Sequence, residues 1–150
     1  MKELVSCSTD ETREYARQFA VTLQPGDIVA LIGGLGAGKT EFVRGICDVF
    51  NCTATVTSPS FTILNIYEGS LRGKPVELYH FDLYRLESPK ELENIGYEEY
   101  LYGNGISIIE WADRFPDAVP KRAKRIQLEI CSDHERRILI ENMPASFIVR

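Results

Sequence analysis

Apolar positions recur along the chain in two periods, and the switches between them mark out its elements. Ser8-Thr9-Asp10-Glu11 has the form of a capping box, with Ser8 capping and Glu11 reaching back. Ala16, Phe19, Ala20 and Leu23 then share one helical face, up to the Pro25-Gly26 break. Residues 27–32 form a short β-rich apolar run, the mark of a buried strand. Helical spacing returns with Phe42, Val43, Ile46, Val49 and Phe50. Residues 51–60 are polar, rich in hydroxyls and interrupted by Pro59. Residues 61–67 and 76–81 alternate apolar and polar around a turn at 68–74, which predicts an antiparallel hairpin. Ser88-Pro89-Lys90-Glu91 is a second capping box opening a short helix toward Ile95. Gly96 stops it, and residues 97–102 make another brief helix. Residues 106–109 read as a compact buried strand ending in Glu110-Trp111, and residues 125–130 and 136–140 as a C-terminal β-hairpin. The sum is a single α/β domain with a mixed, mostly parallel sheet and flanking helices.

Composition narrows the setting more than the fold. The chain has 150 residues, of which 44% are apolar and 26% charged, as in ordinary globular proteins. Nothing in it approaches a membrane span, and the N-terminus lacks the apolar centre of a signal peptide, so a cytoplasmic setting is expected. Cys7, Cys47, Cys52 and Cys131 include no C-x-x-C pair, which predicts reduced, mostly buried thiols rather than a zinc site. The net charge of −5 argues against a free-standing nucleic-acid binder. Lys121-Arg122-Ala123-Lys124-Arg125 is a local basic exception, either a solvated connection or a contact for an anionic partner.

Chemistry enters between the buried strand and the helix after it. Gly33 to Thr40 read GGLGAGKT, a match to the phosphate-binding loop G-x-x-x-x-G-K-[ST]. Gly33, Gly36 and Gly38 let consecutive backbone N–H groups turn toward an anion. Lys39 is spaced to reach the β- and γ-phosphates, and the Thr40 hydroxyl to ligate a bridging Mg²⁺. Strand, glycine loop and helix in that order define a P-loop NTPase-like domain. Such a site needs an acid, and two end apolar strands: Glu110 and Asp82. Thr57-Ser58-Pro59-Ser60 supplies hydroxyls on a turn where nucleotide switches sense the γ-phosphate, although a plain turn fits as well. Trp111 suits either packing beneath the sheet edge or lining the site.

GxLGAGKT, the run from Thr57 to Thr62 (TSPSFT), the run from Tyr79 to Leu86 (YHFDLYRL) and a strand ending in Glu110-Trp111 together resemble the TsaE (YjeE) family of small bacterial ATPases. The resemblance extends from about Thr9 to Arg137. It implies a cytosolic ATPase for threonylcarbamoyl modification of the adenosine beside the tRNA anticodon, working with TsaB and TsaD and meeting tRNA mainly through them. It also implies that Gly33, Gly34, Leu35, Gly36, Ala37, Gly38, Lys39, Thr40 and Glu41 hold the phosphates of ATP. Thr40 and Glu110 would hold Mg²⁺, Asp82 would serve metal or water, and Trp111 would line the site. Thr12 and Arg136 would lie near the nucleotide. The chain departs from the family pattern at Gly34 (usually Asp), Glu41 (usually Thr) and Ser60 (often Thr). Glu41 places a negative charge beside Thr40.

Two other readings fit a phosphate loop. A small-molecule kinase would need an acceptor pocket and a lid carrying arginines, for which residues 121–125 are the visible candidate. A nucleotide-gated assembly factor would depend on binding rather than turnover. A GTPase is disfavoured because N-K-x-D, the guanine-reading sequence, does not occur.

Overall fold

The computed structural model describes residues 2–53, 56 and 63–141. The hydroxyl-rich turn at 57–60 lies outside them, as do Phe61 and Thr62 at the start of the expected hairpin. Seven strands make one sheet: β1 (Lys2–Ser6), β2 (Ile28–Ile32), β3 (Leu64–Leu71), β4 (Lys74–Asp82), β5 (Ile106–Glu110), β6 (Lys124–Ile130) and β7 (Arg136–Glu141). Their spatial order is β1-β7-β6-β2-β5-β4-β3. The four central strands β6, β2, β5 and β4 pair in parallel, and antiparallel partners flank them on both sides. The sheet is mixed, as the periodicity predicts.

The helices are α1 (Thr9–Ala20), α2 (Lys39–Val49), α3 (Lys90–Asn94) and α4 (Tyr97–Leu101). Ser8 caps α1 by accepting the Glu11 N–H at 3.0 Å, while the Glu11 carboxylate reaches back to the Cys7 N–H at 3.4 Å. One face of the sheet packs Val29, Leu31, Leu78 and Ile108 against Phe19, Phe42 and Ile46 of α1 and α2. The other packs Ile28, Ala30, Phe81 and Ile109 against Leu92, Tyr97 and Leu101 of α3 and α4. The two innermost strands β2 and β5 are therefore buried on both faces, which is why they read as runs, while β4 and β6 on either side of them keep an alternating pattern.

Helices α1 and α2 touch at Gly45. A Cβ there would lie 2.5 Å from the Arg13 carbonyl oxygen and 2.6 Å from the Ala16 Cβ, so only glycine permits this approach. Asp48, one turn on, ties the pair together by accepting from Arg13 (2.9 Å) and Arg17 (3.0 Å). Gly45→Ala is accordingly expected to cost about 1–3 kcal/mol by overpacking despite alanine's better helix propensity. Urea unfolding measures this, and an unchanged midpoint would contradict the close approach.

Several boundaries differ from the sequence pattern. Strand β1 was not predicted; it has five residues and buries only Leu4 and Ser6, too short an alternation to register. The β3–β4 turn contracts to Arg72-Gly73, both at positive φ (52° and 79°), as in a tight type I′ hairpin. The thiols are free, but Cys7 and Cys131 are exposed rather than buried, because they sit just beyond strand ends. The basic run is spent partly inside the fold. Arg122 donates to the Gly26 and Leu101 carbonyls, and Lys124 pairs with Asp27 at 2.7 Å.

Candidate functional site

Because β2, β5 and β4 run in parallel, their carboxyl ends open on one edge of the sheet. That edge gathers the phosphate loop after Ile32, Glu110-Trp111 after Ile109, and Asp82 at the end of β4. Register places Leu31 opposite Glu110, and Glu110 opposite Asp82. Two tethers hold the acids' strand ends together. The Leu83 N–H donates to the Glu110 carbonyl at 3.1 Å. The Arg114 guanidinium donates twice to the Leu86 carbonyl, at 2.9 and 2.7 Å.

The loop glycines are required by geometry. A Cβ on Gly33 would meet the Leu128 carbonyl oxygen at 2.8 Å, while Gly36 and Gly38 take φ of 77° and 104°. Gly34 has open space around it, so the aspartate usual at this position would fit sterically. Leu35 is exposed at the loop tip and Ala37 is buried beneath it. Helix α2 starts directly after Gly38 with no side-chain cap on its first turn. The first-turn N–H groups that a helix leaves without intrahelical partners, and its positive dipole end, suit an anion. Glu41 pairs with Arg44 one turn along, so its negative charge is largely met within the helix.

Lys39 is buried in the floor of the cleft, 6% exposed. Its Nζ donates to the Gly33 carbonyl at 2.7 Å and lies 3.6 Å from the centroid of the Trp111 ring. Burial pushes its pKa down, against the pull of Glu110, Asp82 and Asp113. Trp111 reaches that position from a left-handed backbone (φ 56°, ψ 40°), unusual for a bulky residue and worth about 1–3 kcal/mol of strain. Its other neighbour is Tyr84, with ring centroids 4.7 Å apart.

Asp82 is half-buried, and burial is the largest cause of its raised pKa; Glu110 adds to the rise, while the Tyr84 N–H that it accepts at 2.9 Å opposes it. Glu110 is nearly sealed, with Oε2 2.5 Å from Nε2 of His80. Lys39, Thr40, Asp82, Glu110 and Trp111 line one open cleft of about 550 Å³. Thr12 and Arg136 line an adjoining hollow of about 260 Å³ against Gly36 and Gly38. There the Thr12 hydroxyl faces Ser6 at 2.6 Å, and Arg136 donates to the Gly36 carbonyl at 3.1 Å.

Among the described residues, the structure thus brings Leu35 to Glu41, Asp82, Glu110 and Trp111 to one recess and Thr12 and Arg136 to an adjoining one, with Gly33 and Gly34 in the loop between strand and helix; Thr57 to Ser60 lie outside the described residues. Sequence reasoning passed over Tyr84 and Arg85, which line the main cleft, and His80, which backs it. His80 was signalled weakly: it stands two residues before Asp82 on an alternating strand, so both must share a face.

Fold and site together define a nucleotide-binding protein of the P-loop NTPase-like class. The sequence matches the family model described as "Threonylcarbamoyl adenosine biosynthesis protein TsaE" over residues 6–138. It is 36% identical over 140 residues to the tRNA threonylcarbamoyladenosine biosynthesis protein TsaE of Bacillus subtilis (strain 168), covering 92% of this chain and 85% of that protein. The counterpart from Treponema pallidum (strain Nichols) is 37% identical over 136 residues, 91% of this chain and 97% of that one. The crystal structure of Bacillus subtilis YdiB superposes with a TM-score of 0.74 at 32% identity, over 91% of this chain and 82% of that chain. The chain belongs to the TsaE family.

Proposed function

We propose that this protein is a Mg²⁺-dependent ATPase that serves threonylcarbamoyl modification of tRNA by acting on a TsaB–TsaD complex. The observation that carries the reading is the convergence of Lys39, Thr40, Glu110 and Asp82 on one cleft at the uncapped start of α2. ATP fits this cradle chemically. The loop has no room for a Cβ at Gly33, α2 offers free donors, and Lys39 supplies a cation already stripped of much of its water. Mg²⁺ fits the donor set, which is the Thr40 hydroxyl and the Glu110 carboxylate, both hard oxygen ligands.

In hydrolysis, water attacks the γ-phosphorus, the bond to the β–γ bridging oxygen breaks, and ADP and inorganic phosphate leave. Lys39 swings its hydrogen bond from the Gly33 carbonyl to the phosphoryl oxygens and screens the charge that builds there. Thr40 and Glu110 would hold Mg²⁺, which when bound neutralises charge on the β- and γ-oxygens. Asp82, more basic than an ordinary aspartate because it is buried, orients the attacking water and takes its proton. Trp111 shields the Lys39 side of the cleft from bulk water. Thr12 and Arg136 buttress the loop beside the nucleotide.

The kinase alternative loses its lid. Residues 121–125 sit where β6 begins, beside the amino end of β2 and at the edge of the sheet opposite the phosphate loop. Independent tRNA binding is also disfavoured for a chain of net charge −5, so the tRNA would be held mainly by the partners. Among the described residues, no helix is long and apolar enough to cross a membrane.

The test is linkage. If ATP strengthens binding to TsaB–TsaD, that complex must strengthen ATP binding by the same factor. ATP-analogue affinity is expected to rise roughly 5- to 150-fold when the purified complex is added, with slow turnover in its absence. Equal affinities and no co-elution in any nucleotide state would reject the partner role while leaving the nucleotide site standing.

A further inference from the structure

Behind Glu110 lies a polar chain that the phosphate loop itself does not require. Three neighbouring strands contribute to it: Tyr67 from β3, His80 from β4 and Glu110 from β5. The Tyr67 hydroxyl is 2.9 Å from His80 Nδ1, and His80 Nε2 is 2.5 Å from Glu110 Oε2. His80 is 0% exposed, Glu110 2% and Tyr67 3%, so the chain is shielded from bulk water. Pairing explains the reach. Tyr67 stands opposite Leu78 and Asn65 opposite His80, while Ile108 stands opposite His80 and Asp82 opposite Glu110. Each hydrogen bond therefore runs on the diagonal between adjacent strands, across a single face of the sheet.

A buried imidazole amid Leu78, Ile106 and Ile108 would normally be a poor core residue, since each ring nitrogen needs a partner. Here both have one, and their roles are ordered. An ionised carboxylate only accepts, so the proton at the Glu110 contact belongs to Nε2. In a neutral ring Nδ1 then accepts, and the Tyr67 O–H is the donor that selects this tautomer.

We infer that His80 is a positioning residue for Glu110: its Nε2–H, in the tautomer set by Tyr67, holds one carboxylate oxygen so that the other is presented to the cleft for Mg²⁺. This rests on the reading of the cleft as a Mg²⁺–ATP site. Without the anchor, the Glu110 carboxylate is free to rotate or withdraw. An outer-shell partner of this kind typically changes metal affinity or activity by roughly 10- to 100-fold when removed.

Three variants separate positioning from packing. His80→Asn is too short to reach Glu110, His80→Gln can still donate an amide N–H near the Nε2 position, and Tyr67→Phe deletes only the hydroxyl. Two quantities are measured by calorimetry with a non-hydrolysable ATP analogue, namely affinity without Mg²⁺ and the factor by which Mg²⁺ increases it. Steady-state kinetics adds kcat and KM. In His80→Asn and Tyr67→Phe the Mg²⁺-free affinity is expected to stay within about twofold of wild type. The Mg²⁺ enhancement and kcat are expected to fall roughly 10- to 100-fold in His80→Asn, less in Tyr67→Phe, and to recover substantially in His80→Gln.

A second readout needs no turnover. With only two histidines in the chain, nitrogen-15 spectra resolve the His80 ring, and a proton on Nε2 is expected in the wild type. A ring protonated on Nδ1 alone would overturn the assignment, because His80 would then be accepting from Glu110. Unchanged Mg²⁺ enhancement and kcat in folded Tyr67→Phe and His80→Asn, with only a lower melting temperature, would overturn it too. Should His80→Asn fail to fold, Tyr67→Phe decides alone. Wild-type protein that binds no nucleotide with or without Mg²⁺ is a different failure: it removes the Mg²⁺–ATP reading itself, and this inference with it.

Discussion

Lys39→Ala is expected to lose ATP turnover by about 10²- to 10³-fold or more and to bind triphosphate far more weakly, yet to melt no lower than the wild type when unliganded. The two halves of this result have one cause. Without nucleotide the Lys39 ammonium is desolvated, and among the described residues its close contacts are a carbonyl oxygen and an indole face. Burial is the largest influence on it and disfavours its charge. Removing that charge relieves the empty site. Removing it from the loaded site takes away the point charge on the β- and γ-oxygens, and charge-assisted hydrogen bonds are the strong ones. Thermal melts and calorimetry with an ATP analogue measure both. Unchanged affinity together with unchanged turnover would sink the phosphate-loop assignment. A collapse in melting temperature would instead make Lys39 a structural residue held by Gly33 and Trp111.

The contrast between what the sequence disclosed and what it withheld follows from the range of the interactions. Strand β2, the loop and α2 were legible because the signal is local: a buried run, glycines at fixed spacing, then helical periodicity. The β6–β7 and β3–β4 hairpins were legible for the same reason, as alternation around a turn. Strand β1 was not, because it exists only by pairing with β7, more than a hundred residues away. Glu110 and Asp82 could be proposed as strand-end acids, but their adjacency depends on β4 and β5 lying side by side in register, which no local pattern encodes. His80 lies within the run that carries the family resemblance, but its role depends on Tyr67 and Glu110, 13 and 30 residues away, which no local pattern encodes. The meaning of Glu41 was also tertiary in part. A charge that looked damaging beside Thr40 is met by Arg44. Likewise the basic run looked like a candidate lid until Lys124 was found paired to Asp27 at the wrong edge of the sheet.

The two acids should separate by which quantity each controls. Glu110→Gln is isosteric, and its amide oxygen can still accept from His80, so the variant should fold and melt near wild type. It loses the anionic ligand, so the strengthening of nucleotide binding by Mg²⁺ should shrink along with kcat, while Mg²⁺-free affinity persists. Asp82→Asn keeps an oxygen for the Tyr84 N–H, so the turn after β4 should survive. Because burial already disfavours the Asp82 charge, a neutral amide there should leave stability unchanged or higher. If the carboxylate orients and deprotonates the attacking water, kcat should fall about 10²-fold or more with nucleotide and Mg²⁺ affinities retained. Single-turnover hydrolysis at saturating Mg²⁺, alongside calorimetry, distinguishes the two patterns. Loss of Mg²⁺ enhancement in Asp82→Asn rather than in Glu110→Gln would exchange the roles of the two carboxylates. Wild-type rates in both variants would leave the cleft without a working acid and require a mechanism that draws on a partner's residues instead.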